Sequence, residues 1–178
     1  NTESLFSTKI KLKIILYKNI PLDSGLGGGS ADAAALFRIL LKIYNLKIGK
    51  QSIIEFLIKI GSDVPACFFS ENLFLSGYGN VMKKNKNNNK KVWVLLLKPL
   101  LSLSTGKVFS NFLGPFSSSN QLDYNYDNIV KDMKKNKNAL QNIAEKKKEF
   151  VDFINYLPNR NQIVGPRMTG SGSSVFIL

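Results

Sequence analysis

Histidine is missing from this 178-residue chain, and cysteine occurs once, at Cys67. These shortages exclude an imidazole acid/base, a Ser-His-Asp triad, a Cys/His zinc site and a disulfide framework. Acidic residues are scarce as well, 12 against 25 lysines and arginines, which gives a formal charge of +13. No apolar run reaches the ~18 residues of a membrane span, and NTESLFSTK at the start has neither the basic opening nor the apolar stretch of a secretion signal. No membrane partner is expected, and the expected location is the cytoplasm, or the plastid stroma in a plastid-bearing source. Whatever chemistry occurs must use carboxylate, lysine, hydroxyl and backbone amide groups. What is present is the composition of a folded protein: 44% apolar, 11% aromatic and 21% charged residues, enough for one large domain or two small ones.

The positive charge invites an anionic partner, but its distribution weakens that idea. Five basic residues fall in Lys83 to Lys91 and seven in Lys131 to Lys148, both interleaved with asparagine. Such runs read as solvated faces, and the Asn/Lys run around 83–91 is the most loop-like stretch, where a domain boundary is placed. Both ends resemble cut ends: the chain opens without Met, and it stops in the strand-like SSVFIL.

Along the chain, Ile10, Leu12, Ile14 and Leu16 alternate with Lys9, Lys11 and Lys13, which predicts a strand with one wet face. After the turn PLDSGLGGGS, apolar residues at helical spacing predict a helix over 30–44. Ser52 with Glu55 reads as a capping box opening a second helix, stopped at Gly61. GSDVP predicts a further short helix with Pro65 in its first turn. Residues 73–82 read as a strand and turn, VWVLLLKP as a buried strand, and 125–156 as helical in its less polar parts. MTGSGSSVFIL reads as a glycine loop entering a strand.

Gly25, Gly27, Gly28 and Gly29 occupy four of five positions, more than a tight turn needs. Glycine lets the backbone approach a ligand, and a helix N-terminus offers free N–H groups and a favourable dipole to phosphate. A Walker loop is excluded because Ser30-Ala31 follows Gly29 where Lys-Ser/Thr is needed, and a dinucleotide fingerprint lacks its third glycine. The strand lysine, HRD and DFG of protein kinases are absent.

The string from Pro21 to Ala34, PLDSGLGGGSADAA, resembles the phosphate loop of the GHMP kinases. Gly61-Ser-Asp-Val-Pro65 resembles their G-A-D-V-P segment, and Arg167 to Phe176 resembles their third, glycine-rich motif. Order and spacing agree across nearly the whole chain. The triple glycine and GxDVP are most similar to the branch that phosphorylates 4-diphosphocytidyl-2-C-methyl-D-erythritol in the non-mevalonate route to isoprenoids. The resemblance implies an α+β, two-domain fold: a ribosomal-protein-like ATP-binding domain over 1–91 and a ferredoxin-like domain over 92–178, each incomplete. It also implies transfer of a phosphoryl group from ATP, with Mg²⁺, to the 2-hydroxyl of that small-molecule substrate. No nucleic-acid partner is expected, and the chain is expected to be a monomer or weak dimer.

Residue by residue, Asp63 matches the catalytic aspartate that takes or orients the proton of the attacking hydroxyl, although an aspartate before a proline also suits a helix cap. Lys18, Pro21, Leu22, Asp23, Ser24, Gly25, Leu26, Gly27, Gly28, Gly29, Ser30 and Ala31 match the nucleotide-contacting segment. Ser30 could equally cap the helix, and Asp32 reads as a first-turn acid that favours the dipole. Thr105 and Phe109 match residues lining the substrate pocket, Phe109 being the aromatic that stacks on cytosine; its plain alternative is a core phenylalanine. Thr169, Gly170, Ser171 and Gly172 would border the phosphates, or form an ordinary β-turn. Cys67, in ACFF, reads as core, and no protein metal ligand is assigned. The pattern's upstream lysine and second cytosine-stacking aromatic have no counterpart here, so catalytic completeness is not expected. The competing readings are another GHMP kinase of homoserine or mevalonate type, which the triple glycine disfavours, and a basic RNA-binding module, which would leave the glycine cluster unexplained.

Overall fold

The glycine run feeds directly into the longest helix. In a computed structural model, which describes residues 11–84, 91–115, 126–135, 137–157 and 164–178, α1 spans Gly28–Ile43 and buries Ala34, Phe37 and Leu40 on one face. It starts two residues earlier than periodicity predicts, because Gly27, at φ 67°, takes the left-handed N-cap position without a side-chain cap. Ser30 is therefore the third helical residue and not the cap. The first turn holds no acid; Asp32 lies beyond it and pairs with Lys18.

Helix α2 spans Lys50–Ile58 from an N-cap at Gly49. Ser52 sits inside it, so no capping box forms; Glu55 instead accepts a hydrogen bond from Gln51 Nε2 at 3.0 Å, one turn back. Helix α3, Val64–Phe69, has Asp63 in the N-cap position, with no cap made by its side chain, and a proline in the first turn. These three helices share one core. Phe37 stacks on Phe56 at 5.0 Å and meets Phe68 edge-on at 5.7 Å, above Leu57 and Val64, which are fully or almost fully buried. Cys67 packs at the margin of this cluster. Arg38 Nη1 ties α1 to the end of α3 by donating to the carbonyls of Cys67 and Phe68 at 3.0 and 2.8 Å, where the helix dipole favours a cation. A hairpin follows: β1, Leu73–Ser76, pairs antiparallel with β2, Val81–Lys84.

A second core forms around a three-stranded antiparallel sheet of order β3-β5-β4, with β3 at Leu95–Leu97, β4 at Arg167–Met168 and β5 at Val175–Ile177. Leu97 and Met168 both register with Val175. Helices α4 (Thr105–Ser110), α5 (Tyr126–Lys135), α6 (Gln141–Ala144) and α7 (Lys148–Tyr156) complete this half. Leu103, Val108, Ala144, Phe150 and Met168 close on Val175. Helices beside small antiparallel sheets make the fold α+β.

Two further sequence expectations are corrected. Residues 11–19 form no strand, and Ile14, Leu16 and Tyr17 are exposed. A period of two yields a strand only where a neighbour supplies ladder partners, and the described residues supply none. The strand in VWVLLLKP covers only 95–97, and Trp93 is 96% exposed. It is an edge strand with only Leu97 turned toward the core, so that stretch is not a buried strand.

Candidate functional site

Three turns, one from each glycine-bearing stretch, surround a single cleft of about 520 Å³. The first turn, Pro21 to Gly27, delivers the chain into the N-terminus of α1. Ala31 N–H makes the first intrahelical bond, to Gly27 O at 2.9 Å. By helix geometry the N–H groups of Gly28, Gly29 and Ser30 have no intrahelical acceptor, and they sit where the dipole favours an anion. Gly29 lines the cleft, and a β-carbon built on it meets nothing within 4 Å. Neither backbone strain nor packing demands glycine there. The open space over a row of free N–H groups fits a phosphate chain, which needs close main-chain approach.

Lys18, from the extended segment before the turn, reaches the same rim. It donates to the Asp32 carboxylate, and its Nζ lies 3.5 Å from the position of a β-carbon on Gly28. Lys18 thus carries its charge to the glycine loop, on a tether from α1.

Across the cleft, Gly61, Ser62 and Asp63 precede α3. Asp63 is exposed, and its side chain makes no hydrogen bond or ion pair among the described residues; only its carbonyl serves the helix, accepting Cys67 N–H at 3.0 Å. The carboxylate is therefore not consumed by capping. The segment is held from behind by the β1–β2 turn, where a β-carbon on Gly79 would lie 2.3 Å from Ser62 O. The Asp63 charge is felt locally: burial first, and then this carboxylate, raise the Cys67 thiol above its ordinary value, while Arg38 opposes them.

The third turn joins β4 to β5. Gly172 N–H bonds Thr169 O at 2.8 Å, so the β-turn reading of this stretch holds, yet Gly170 and Ser171 also line the cleft. The turn locks onto the first one through main chain: Ser173 N–H donates to Asp23 O at 3.2 Å and Ser174 N–H to Ser24 O at 3.1 Å. Ser171 Oγ lies 2.9 Å from Thr105 Oγ1 at the start of α4, and Phe109, 59% exposed, stands on the same wall instead of in the core.

Of the residues singled out from sequence, Lys18, Pro21 to Ser30, Asp63, Thr105, Phe109, Gly170 and Ser171 meet at this cleft; Ala31, Thr169 and Gly172 do not line it. Gly61, Ser62 and Leu140 line it as well. The first two adjoin Asp63 in the GxDVP segment and could have been included, whereas Leu140 comes from a basic, asparagine-rich stretch with no sequence signal.

Comparison with known proteins agrees with this geometry. Residues 2–71 match the family described as the GHMP kinases N terminal domain. The chain is 34% identical over 164 residues to a 4-diphosphocytidyl-2-C-methyl-D-erythritol kinase of Buchnera aphidicola subsp. Acyrthosiphon pisum, covering 92% of this chain and 54% of the relative. It is 36% identical over 172 residues to the protein of that name in Wolbachia pipientis wMel, covering 95% and 58%. The chain thus spans little more than half the length of these curated relatives. A crystal structure of 4-(cytidine 5'-diphospho)-2C-methyl-D-erythritol kinase superimposes with a TM-score of 0.68 over 90% of this chain and 59% of the other, at 23% identity. The glycine loop and Asp63 both fall within the stretch that is similar to the GHMP kinases N terminal domain, and the fold is similar to that of the solved kinase over nine-tenths of this chain.

Proposed function

We propose that this cleft serves ATP-dependent phosphorylation of the 2-hydroxyl of 4-diphosphocytidyl-2-C-methyl-D-erythritol, the reaction that the relatives' names denote. The observation that supports it is that two groups line one cleft: the helix N–H groups of Gly28 to Ser30, which have no intrahelical acceptor, and the Asp63 carboxylate, which makes no helix cap. In this reading residues 1–91 form the ATP-binding domain and 92–178 the second domain.

ATP would supply the phosphoryl group, held by the N–H groups of Gly28 to Ser30 with Lys18 at the rim. Mg²⁺ would arrive on its phosphates and take most of its ligands from substrate and water. Asp63 accepts the proton of the substrate hydroxyl as that oxygen bonds to phosphorus and the bond to ADP breaks. Phosphoryl transfer is mainly positioning and charge stabilisation, so one carboxylate at the acceptor suffices. Phe109 offers an exposed ring on which the cytosine can stack, and Thr105 stands beside it.

Calorimetric titration with a non-hydrolysable ATP analogue present tests the substrate. Saturable binding of the diphosphocytidyl alcohol, and none of homoserine or mevalonate, is expected; preference for either competitor would reject the assignment. Asp63→Asn should leave affinity for the analogue within about threefold, because the carboxylate acts on the acceptor oxygen, while transfer in the intact enzyme falls by about a hundredfold or more.

A further inference from the structure

We propose that Asn138, seconded by Gln141, is a positioning residue that clamps the third glycine turn into its cleft-facing shape; this rests on the kinase reading above. Asn138 lies in the run KNKN, whose lysines are exposed, yet its own side chain points inward. Its Nδ2 donates to Met168 O at 3.0 Å and to Gly170 O at 2.6 Å, and its Oδ1 accepts Leu140 N–H at 3.0 Å. Both amide hydrogens and the amide oxygen are engaged, so the group has one orientation. Three residues on, the buried Gln141 accepts Met168 N–H on Oε1 at 2.9 Å and is itself held by Glu145 at 2.9 Å. Two side chains thus hold both polar groups of Met168 and the carbonyl of Gly170. A turn with two glycines in four residues has many conformations open to it. The clamp selects the one in which Ser171 meets Thr105 on the wall that carries Phe109. The first glycine turn enters α1 and bonds the third through Ser173 and Ser174, beyond the Met168 and Gly170 carbonyls that Asn138 holds, so the clamp acts on the acceptor side more than on the nucleotide side.

The test compares the parent chain with Asn138→Asp and Asn138→Ala, using the diphosphocytidyl alcohol and Mg·ADP as probes and the amide NMR signals of Gly170 and Ser171 as a ligand-free readout. N138D sets a carboxylate against two carbonyl oxygens. Affinity for the alcohol should fall about tenfold or more, that for Mg·ADP less than threefold, and the Gly170 and Ser171 amides should shift while those of α1 stay. Lowering the pH toward about 5 protonates the introduced carboxyl, which its acceptor surroundings raise above an ordinary aspartate, and returns a donor. The N138D-to-parent affinity ratio should then recover, and that of N138A should not. Unchanged amides with unchanged affinity, or equal loss of both ligands with no recovery at acid pH, would overturn the proposal. Should N138D fail to fold, N138A carries the same amide and affinity comparison. A parent that binds neither probe would reject the kinase reading, while the amide shifts would still decide the clamp.

Discussion

At Gly25 a β-carbon would lie 2.4 Å from Thr169 O and 2.6 Å from Gly172 N, at a φ of +69° that side chains avoid. Both neighbours are main chain and cannot swing away. Gly25→Ala should therefore destabilise the fold by about 2–4 kcal/mol, read as a lower denaturation midpoint, because it wedges the first and third turns apart. Gly29, four residues on, has ordinary backbone geometry and empty space above it, so its glycine answers to something other than the fold. Cys67 reports on Asp63 in the same way. Its thiol is raised by burial and by the Asp63 charge, so alkylation by iodoacetamide at pH 8 should be slower than for an unperturbed cysteine. Asp63→Asn removes the second cause, lowers the thiol toward its usual value and should speed the reaction; an unchanged rate would place the carboxylate elsewhere. The same shift makes ionisation of the thiol costlier in the folded chain, so its effect on stability is absent at neutral pH and appears as a loss as pH rises past the ordinary cysteine range.

Helix α3 shows how an element aims a side chain. Its six residues are too few to stand alone; it is held at one end by Arg38 on its last carbonyls and along its length by Phe37 and Leu57. Replacing Arg38 with methionine keeps an apolar stem but removes the two charge-assisted bonds and the guanidinium over the Phe68 ring, which should cost about 1–2 kcal/mol and be measurable by urea denaturation. No change would show that packing alone seats α3. Much at this scale was legible in the sequence. The glycine run entering a helix, the Asp63-Pro65 helix start and the strand and turn over 73–82 follow from neighbours in sequence: turn chemistry, periodicity, and a proline that tolerates a first turn. The failures share a cause too. A strand on the alternation from Lys9 to Leu16 and burial of Val92 to Leu96 need a second surface, which alternation cannot report, and the capping box at Ser52 lost to a helix that begins one turn earlier at Lys50. Asn138 was unreadable for the same reason: its partners lie some 30 residues away in sequence.

On the scale of the molecule, the halves that carry the two hydrophobic clusters are joined by main-chain bonds from Ser173 and Ser174 to Asp23 and Ser24, beside the cleft. The net charge of +13 plays no part in that junction. The described lysines of both basic runs are exposed, and Lys84 already faces Glu71 at 2.8 Å. A labelled single-stranded RNA should accordingly show no saturable anisotropy change at micromolar protein and physiological salt; tight binding with a steep salt slope would revive a nucleic-acid role. Whether the bare main chain at the start of α1 receives the phosphates of a nucleotide, as proposed, is decided by Gly29→Ala, with Mg·ADP affinity and melting temperature measured on the same sample. A methyl on an unstrained helical residue should leave the melting temperature unchanged or raise it, by up to about 1 kcal/mol of stability, while the affinity drops about tenfold or more. Affinity equal to the parent's, in a variant that folds as well, would contradict the claim.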